Sequence, residues 1–368
     1  MKKEIKIFDL KFESDYVRKF LNGSKKILSE GFLGNHTFVR KLEEKVKNRN
    51  KSKYAIGVHT GTGAIELILR SLNINGKKVL IASNTFIATA KAVISAGGKP
   101  EPVDIENKYF SLCPKKLKQK INPKIGAVII VHIGGLVTPN IFLIKKICNT
   151  HKIPLVEDCA QAFNSSLNNI KVGNFGIAGA FSLQTTKVLT AGEGGIVVTN
   201  NKKFYNKLIR NRQYGYSKNN KLDHNLNGSN FKMSEFVALA AICDLDRFNK
   251  RSRKRIQIAK RYQENLKNTN WNTLKPVINS KTSYYKQIII SPINRNKVKK
   301  VFQKKKISLT GGVYYFPLHR QTFLGKKDDK KYINSSFFAD RHFCPPCYPE
   351  LNLSDIDYVC NVLKSIKI

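Results

Sequence analysis

Short apolar runs alternate with stretches of helical period from residue 54 to residue 199, and this alternation constrains the fold more than any other feature of the chain. The runs at 54–58, 79–82, 100–103, 127–131, 153–156 and 196–199 have strand length. Helical patterns lie between them. Ala64, Ile65, Leu67, Ile68 and Leu72 repeat at helix spacing, and 85–96, 114–121 and 139–151 read the same way. Strands apolar at nearly every position must be covered on both faces, and crossover helices do this in a strand–helix repeat. The prediction is an α/β chain with a mostly parallel sheet. Ligands of such sheets lie beyond the carboxyl ends of the strands. Residues 60–63, 84–86 and 132–135, together with Asp158, all fall at such ends.

The stretch 155–195 carries the chemistry. One apolar run delivers Glu157 and Asp158. A second, through Phe181, leads to Ser182 and Lys187 and closes on Gly192-Glu193-Gly194-Gly195. An acid and an amine placed this way suit pyridoxal 5'-phosphate (PLP). The amine forms a Schiff base with the aldehyde. The acid pairs with the protonated pyridine nitrogen and keeps the ring an electron sink. Upstream, a strand runs into His59-Thr60-Gly61-Thr62-Gly63 and then into a helix. Free backbone N–H groups and the helix dipole point at an anion in such a turn. No lysine sits where a Walker A loop needs one. A threonine there also serves as a plain helix N-cap, so the turn alone leaves both readings open.

Composition narrows the class. The 368 residues, 41% of them hydrophobic, suffice for two domains with a real core. The start, Met1-Lys2-Lys3-Glu4, has no apolar h-region, and no run is long enough to span a bilayer. The expectation is a soluble, cytoplasmic protein with no membrane partner. The net charge of +41 is what a nucleic-acid binder would show. Its lysines are spread evenly among asparagine and isoleucine, and no RNP-like strand, zinc-finger spacing or basic tail accompanies them. A general positive field that captures an anionic small substrate fits better. The cysteines are odd in number, and only Cys344-Pro345-Pro346-Cys347 has redox or metal spacing. With no second pair and no histidine at zinc spacing, it reads as a loop.

The rest of the chain is less regular. An N-terminal arm and short helix occupy 9–28, a turn follows at 31–34, and a helix starts near Thr37. A helix is predicted at 203–212, a polar loop at 222–230, and a long helix from Met233 to about Leu266 with a bend or break. Strands at 285–290 and 313–316, a helix at 297–306 and a last helix capped by Ser354 follow. The change of rhythm near 245 divides the chain into a large domain, 1–245, and a smaller α+β domain, 246–368.

With these residues in view, the chain resembles the DegT/DnrJ/StrS family of PLP-dependent nucleotide-sugar aminotransferases. Thr60-Gly61-Thr62-Gly63-Ala64 resembles the family's SGTAA phosphate loop. Asn84-Thr85-Phe86 resembles its NTF stretch, and Glu157-Asp158-Cys159-Ala160-Gln161-Ala162 its EDAAQA. Lys187 with its glycine turn, 228–235 and Pro317-Leu318-His319 match further family segments in order. The resemblance implies fold-type I architecture and assigns roles. Lys187 would carry the cofactor and shuttle protons. Asp158 would pair with the ring nitrogen, Gln161 would bond the phenolic oxygen, and Phe86 would stack on the ring. Gly61, Thr62 and Ser182 would bind the phosphate. Asn230 would reach the phosphate of a neighbouring subunit, giving a homodimer with shared sites. His319 is a candidate substrate contact.

Each of these residues has a plain structural alternative: Asp158, Thr62 and Ser182 as caps, Asn230 as a turn residue, Phe86 as core, and His319 as a packing residue. The implied reaction moves an amino group from L-glutamate to a keto group of a nucleotide-linked deoxyhexose. A dehydratase branch of the same family has histidine in place of the lysine, and Lys187 argues against it.

Overall fold

The computed structural model describes residues 4–309 and 312–368. Met1, Lys2 and Lys3, on which the reading of the charged start partly rests, lie outside them. The central sheet has seven strands: β1 (Tyr54–Val58), β2 (Lys78–Ala82), β3 (Lys99–Val103), β4 (Ile125–Val131), β5 (Leu155–Asp158), β8 (Ala178–Ser182) and β9 (Gly195–Thr199), with the small strands β6 (Ser166–Leu167) and β7 (Ile170–Lys171) between β5 and β8. Its order is β1-β9-β8-β5-β4-β2-β3. The run from β8 to β3 is parallel, and only β9 pairs antiparallel with its neighbours, β8 and β1.

Period-two alternation explains why the inner strands β2 and β4 are apolar on both faces. Successive side chains of a strand point to opposite faces. On β2, Leu80 and Ala82 enter one core while Val79 and Ile81 enter the other. On β4, Val128 and Ile130 enter the first while Ala127 and Ile129 enter the second. Helices α3 (Gly61–Leu72), α4 (Ile87–Ser95) and α7 (Lys202–Arg212) cover one face. On the other lie α2 (Thr37–Asn50), α5 (Pro114–Lys120), α6 (Ile141–Thr150) and the first half of α8 (Glu235–Asn265), with α1 (Ser14–Glu30) against α8.

The 31-residue α8 runs unbroken through residues 245 and 246. Ala238, Leu239, Ile242, Leu245 and Phe248 pack in the first core, whereas Ile258 and Tyr262 pack in a third core. The change of partner thus falls inside one helix. Helices α9 (Arg295–Lys304) and α11 (Leu353–Lys364) close that third core, and α10 (Ile333–Arg341) packs Phe338 into the first. The strands of the C-terminal part are two residues long: β10 (Asn272–Thr273), β12 (Ile289–Ile290) and β13 (His342–Phe343) form one small sheet, and β11 (Ser280–Lys281) joins β6 and β7.

Three expectations need correction. The strand predicted at 285–290 pairs only at Ile289–Ile290, because the backbone bends at Tyr285 and Lys286 before it extends. The segment 313–316 is not a strand; the Tyr314 side chain instead reaches Gln161, whose Nε2 donates to its hydroxyl. Helix α11 starts at Leu353 after Asn352, so Ser354 lies inside its first turn. Cys344 and Cys347 are buried and unpaired, and burial pushes the Cys344 thiol up to about 12. Among the described residues, no helix is long and apolar enough to cross a membrane.

Candidate active site

The carboxyl ends of β1, β2, β4, β5 and β8 share one edge of the sheet. The amino end of β9 joins them, because Gly195 pairs with both Val58 and Ser182. Past β1, Thr60 caps α3, its hydroxyl accepting from Gly63 N–H at 2.9 Å, and its carbonyl accepts from Ala64 N–H at 2.9 Å. The N–H groups of Gly61 and Thr62 lie before the first intrahelical acceptors and face out of the helix end. Gly61 is required by close packing. A Cβ there would come within 2.6 Å of Ser182 Cβ. A Cβ at Gly195 would meet the Thr60 carbonyl oxygen at 2.2 Å. Two glycines therefore bring the α3 end against Ser182, whose hydroxyl already accepts from Gln184 N–H at 3.3 Å.

Glu157 and Asp158 are neighbours with different tasks. Glu157 is fully buried and accepts from the N–H groups of Gly173, Phe175 and Gly176 at 2.7–2.8 Å, with His132 Nε2 at 3.0 Å. It ties a loop to the underside of β5. Asp158, one residue on, points the other way. Its Oδ2 accepts from Thr89 Oγ at 2.8 Å and its Oδ1 from Ala160 N–H at 3.1 Å. Thr89 stands on α4 and is itself paired with Thr85 at 3.0 Å. Gln161 follows in the turn after β5. Its Oε1 accepts from Gly134 N–H at 2.6 Å and its Nε2 donates to the Tyr314 hydroxyl at 2.8 Å.

Lys187 lies in the turn between β8 and β9. The glycine segment folds back on this turn: Gly194 and Gly192 carbonyls accept from Leu183 and Thr185 N–H at 2.9 and 2.8 Å. Lys187 is half-buried, and its Nζ stands 4.8 Å from the ring centre of Tyr285. The Tyr285 hydroxyl is 3.2 Å from Thr186 Oγ1. Burial raises the Tyr285 pKa, but Lys187 and Lys286 beside it outweigh that and hold the phenol below its ordinary value. Tyr285, Tyr314 and Thr89 were not found by sequence reasoning. Nothing in their local pattern announces contacts to residues 69–153 positions away.

Phe86, at the N-cap of α4, is 60% exposed, so a buried-core role is excluded and a ring face is free. Asn230 is exposed, beside the bridge it makes with Gln213. His319 does not match its expectation as a substrate contact. Its ring is fully buried and stacked on Tyr332 at 4.5 Å. Nδ1 meets Ser83 Oγ at 2.7 Å, and Nε2 meets Asp329 and Ser336 at 3.0 and 3.1 Å. Burial lowers its pKa despite Asp329. With both nitrogens engaged, His319 braces the β2 end rather than facing a ligand.

This edge fits PLP. A helix end with free N–H groups suits its phosphate, a buried oriented carboxylate suits its ring nitrogen, and a half-buried amine suits its aldehyde. Fold and site together define a PLP-dependent aminotransferase. The model of the DegT/DnrJ/EryC1/StrS aminotransferase family matches residues 15–364, and the chain belongs to that family. It is 26% identical over 355 residues to GDP-perosamine synthase of Vibrio cholerae, covering 95% of each chain. It is 29% identical over 351 residues to UDP-N-acetyl-3-dehydro-α-D-glucosamine 3-aminotransferase of Acidithiobacillus ferrooxidans, covering 94% of this chain and 93% of that one. The solved structure of S. venezuelae DesV superposes with a TM-score of 0.91 at 23% identity over the whole of both chains.

Proposed function

We propose that the chain transfers the amino group of L-glutamate to a keto group of a nucleotide-linked deoxyhexose, in the cytoplasm, giving an amino sugar for a surface glycan. The observation that carries this reading is Lys187, held in the β8–β9 turn at the same sheet edge as Asp158 and the α3 end. Relatives named for GDP- and UDP-linked sugars support a sugar nucleotide as acceptor.

When bound, PLP supplies the electron sink through which nitrogen leaves one carbon and joins another. The chain supplies placement and protons. Gly61 and Thr62 N–H groups, with Ser182 Oγ, would hold the phosphate. Asp158 would keep a proton on the ring nitrogen, and the bonds from Thr89 and Ala160 fix its carboxylate for that task. Gln161 would orient the phenolic oxygen, and Phe86 would cover a ring face. Lys187 Nζ would take up and return a proton as the site's general base and acid. Exposed Asn230 completes the phosphate shell of a second copy, so the working unit is a twofold dimer. His319 acts through Ser83 as a positioning residue.

The test is mass spectrometry of products from isotope-labelled L-glutamate and a panel of nucleotide-linked keto sugars. Label in an amino-sugar nucleotide is the expected result. If every sugar stays unlabelled while a simple keto acid takes the label, the acceptor assignment fails. If borohydride fixes PLP on a lysine other than Lys187, the site assignment fails.

A further inference from the structure

We propose that Tyr314 is a positioning residue of the amino-transfer site: its hydroxyl fixes the Gln161 amide so that one amide N–H is presented to the phenolic oxygen of PLP. The proposal rests on the reading of this edge as the PLP site, and it adds a residue that acts through Gln161.

The geometry starts at the backbone. Gln161 is buried, and its carbonyl accepts from Ser283 Oγ at 2.8 Å. The loop after β4 lies against its side chain. That loop is pinned, because the Gly135 carbonyl accepts from Ser165 Oγ at 2.7 Å and from Thr282 Oγ1 at 2.9 Å. Gly134 N–H meets the Gln161 amide at 2.6 Å. A backbone N–H can only donate, so the amide atom facing it is the oxygen, and Nε2 faces the other way. Nε2 carries two hydrogens. One goes to the Tyr314 hydroxyl at 2.8 Å, and the other has no acceptor among the described residues. It is the donor left for a ligand. With Gly134 alone, the amide plane could still turn about the last side-chain bond. Tyr314 gives it a second anchor.

Tyr314 is itself held at both ends of its segment. Its side chain packs in the first core, and its N–H meets His342 Nε2 at 3.4 Å. Four residues on, Leu318 N–H donates to the Ser83 carbonyl at 2.7 Å. Burial holds the Tyr314 phenol far above its ordinary range, so the hydroxyl stays neutral. The titratable groups around it are Asp158, Tyr285 and His342. The Thr85 side chain and the Phe86 backbone border the same hydroxyl. One hydroxyl therefore joins the loop that carries Phe86 to the turn that carries Gln161.

The experiment follows the visible absorbance of PLP bound to the full chain as pH is raised. An N–H donated to the phenolic oxygen stabilises it without a proton, so losing that N–H should shift the absorbance midpoint to higher pH. Tyr314→Phe keeps the ring in the core. It should raise the midpoint by roughly half to one pH unit, the size that one hydrogen bond gives. The PLP dissociation constant should rise about two- to fivefold. Gln161→Leu should raise the midpoint at least as much, and adding Tyr314→Phe to it should raise it no further. A Tyr314→Phe midpoint that stays in place overturns the proposal, because the hydroxyl is then packing alone. A further shift in the double variant overturns it too, because Tyr314 then acts without Gln161. Those two outcomes leave the PLP site standing. If Gln161→Leu shifts nothing, or if the wild type develops no PLP absorbance, the reading of the site fails and the proposal falls with it.

Discussion

The carboxyl edge of the sheet and the C-terminal third of the chain build the same site by different means. At the edge, each candidate residue follows a strand end or starts a helix: Gly61 and Thr62 after β1, Phe86 before α4, Asp158 on β5, Ser182 on β8. In the C-terminal third, strands are two residues long, and side chains reach back over long sequence distances. Tyr314 meets Gln161, Tyr285 meets Lys187 and Thr186, and His319 meets Ser83. The difference separates two tasks. Reacting groups are delivered by local backbone geometry, and their orientation is set by contacts that only the folded chain creates.

The most severe way to break this division is at Lys187. Lys187→Ala removes the amine but leaves the turn, because the turn is closed by backbone bonds from Leu183 and Thr185. Amino transfer should fall by at least ~10²–10⁴, the scale of a lost proton-transferring group. Thermal unfolding should be nearly unchanged. A variant that keeps substantial turnover would move the chemistry to another residue.

Asp158 and Glu157 test the same division on one strand. Asp158→Asn keeps both hydrogen bonds in reach, since an amide oxygen accepts from Ala160 and the Thr89 hydroxyl can turn to accept. Stability should hold while amino transfer drops by about two orders of magnitude, the lower part of the range for an electrostatic group at a reacting centre. Glu157→Gln should do the reverse. Three backbone donors and His132 converge on that carboxylate, and an amide cannot accept from all of them. Unfolding free energy should fall by roughly 3 kcal/mol, as for other broken buried charge networks. If both variants lose stability equally, the two neighbours share one structural role.

These residues also show what the sequence makes legible. Asp158, Gly61 and Lys187 stand out because strand ends, small residues and polar groups coincide there within a few positions. The βα rhythm itself is local, so the parallel sheet is legible too. Tyr314, Tyr285 and Thr89 carry no such mark, since an aromatic or threonine in an apolar run reads as core. His319 misled for a related reason. Its family motif pointed to the site, but Asp329, Ser336 and Tyr332 claim its ring, and none of them is near it in any periodic sense. The C-terminal strands were overdrawn because apolar composition at 285–290 and 313–316 looks extended, while the bend at Tyr285–Lys286 and the reach of Tyr314 override it.

A third prediction asks whether long-range orientation fails first in acid. His342 is buried, its Nδ1 meets the Phe338 carbonyl, and its Nε2 accepts from Tyr314 N–H at 3.4 Å. Burial lowers its pKa to about 3. The unfolded chain has a histidine near 6.5, so between those values the unfolded state binds the extra proton. Stability from this residue is therefore complete above pH 6.5 and is lost as pH falls toward 3. At pH 4.5 the loss should reach about 2–3 kcal/mol. Urea midpoints for the wild type and His342→Phe at pH 8, 6 and 4.5 check this. The variant should start lower and lose less on acidification. Parallel losses in the two proteins would assign the acid sensitivity to other groups.

The smallest expected effect is the sharpest test of orientation, and it lies at Tyr285. Its ring stands 4.8 Å from Lys187 Nζ, and its hydroxyl meets Thr186. Tyr285→Phe keeps the ring under the amine and removes only the hydroxyl bond, worth about 1 kcal/mol, so turnover should fall roughly two- to fivefold. Tyr285→Leu also removes the cation–π contact, worth ~0.5–2 kcal/mol, and should cost about tenfold. The pH profile separates the two contributions. Lys187 and Lys286 hold the phenol below its ordinary value against the effect of burial, so the wild type should lose this hydroxyl's proton below the usual tyrosine range near 10. Its alkaline limb should begin there, and Tyr285→Phe should lack that limb while running at a lower plateau. If Phe and Leu variants are equally impaired, the ring face contributes nothing to Lys187. If the Phe variant keeps the wild-type alkaline limb, the titrating group is another one, and Tyr285 is only packing against the turn that carries the lysine.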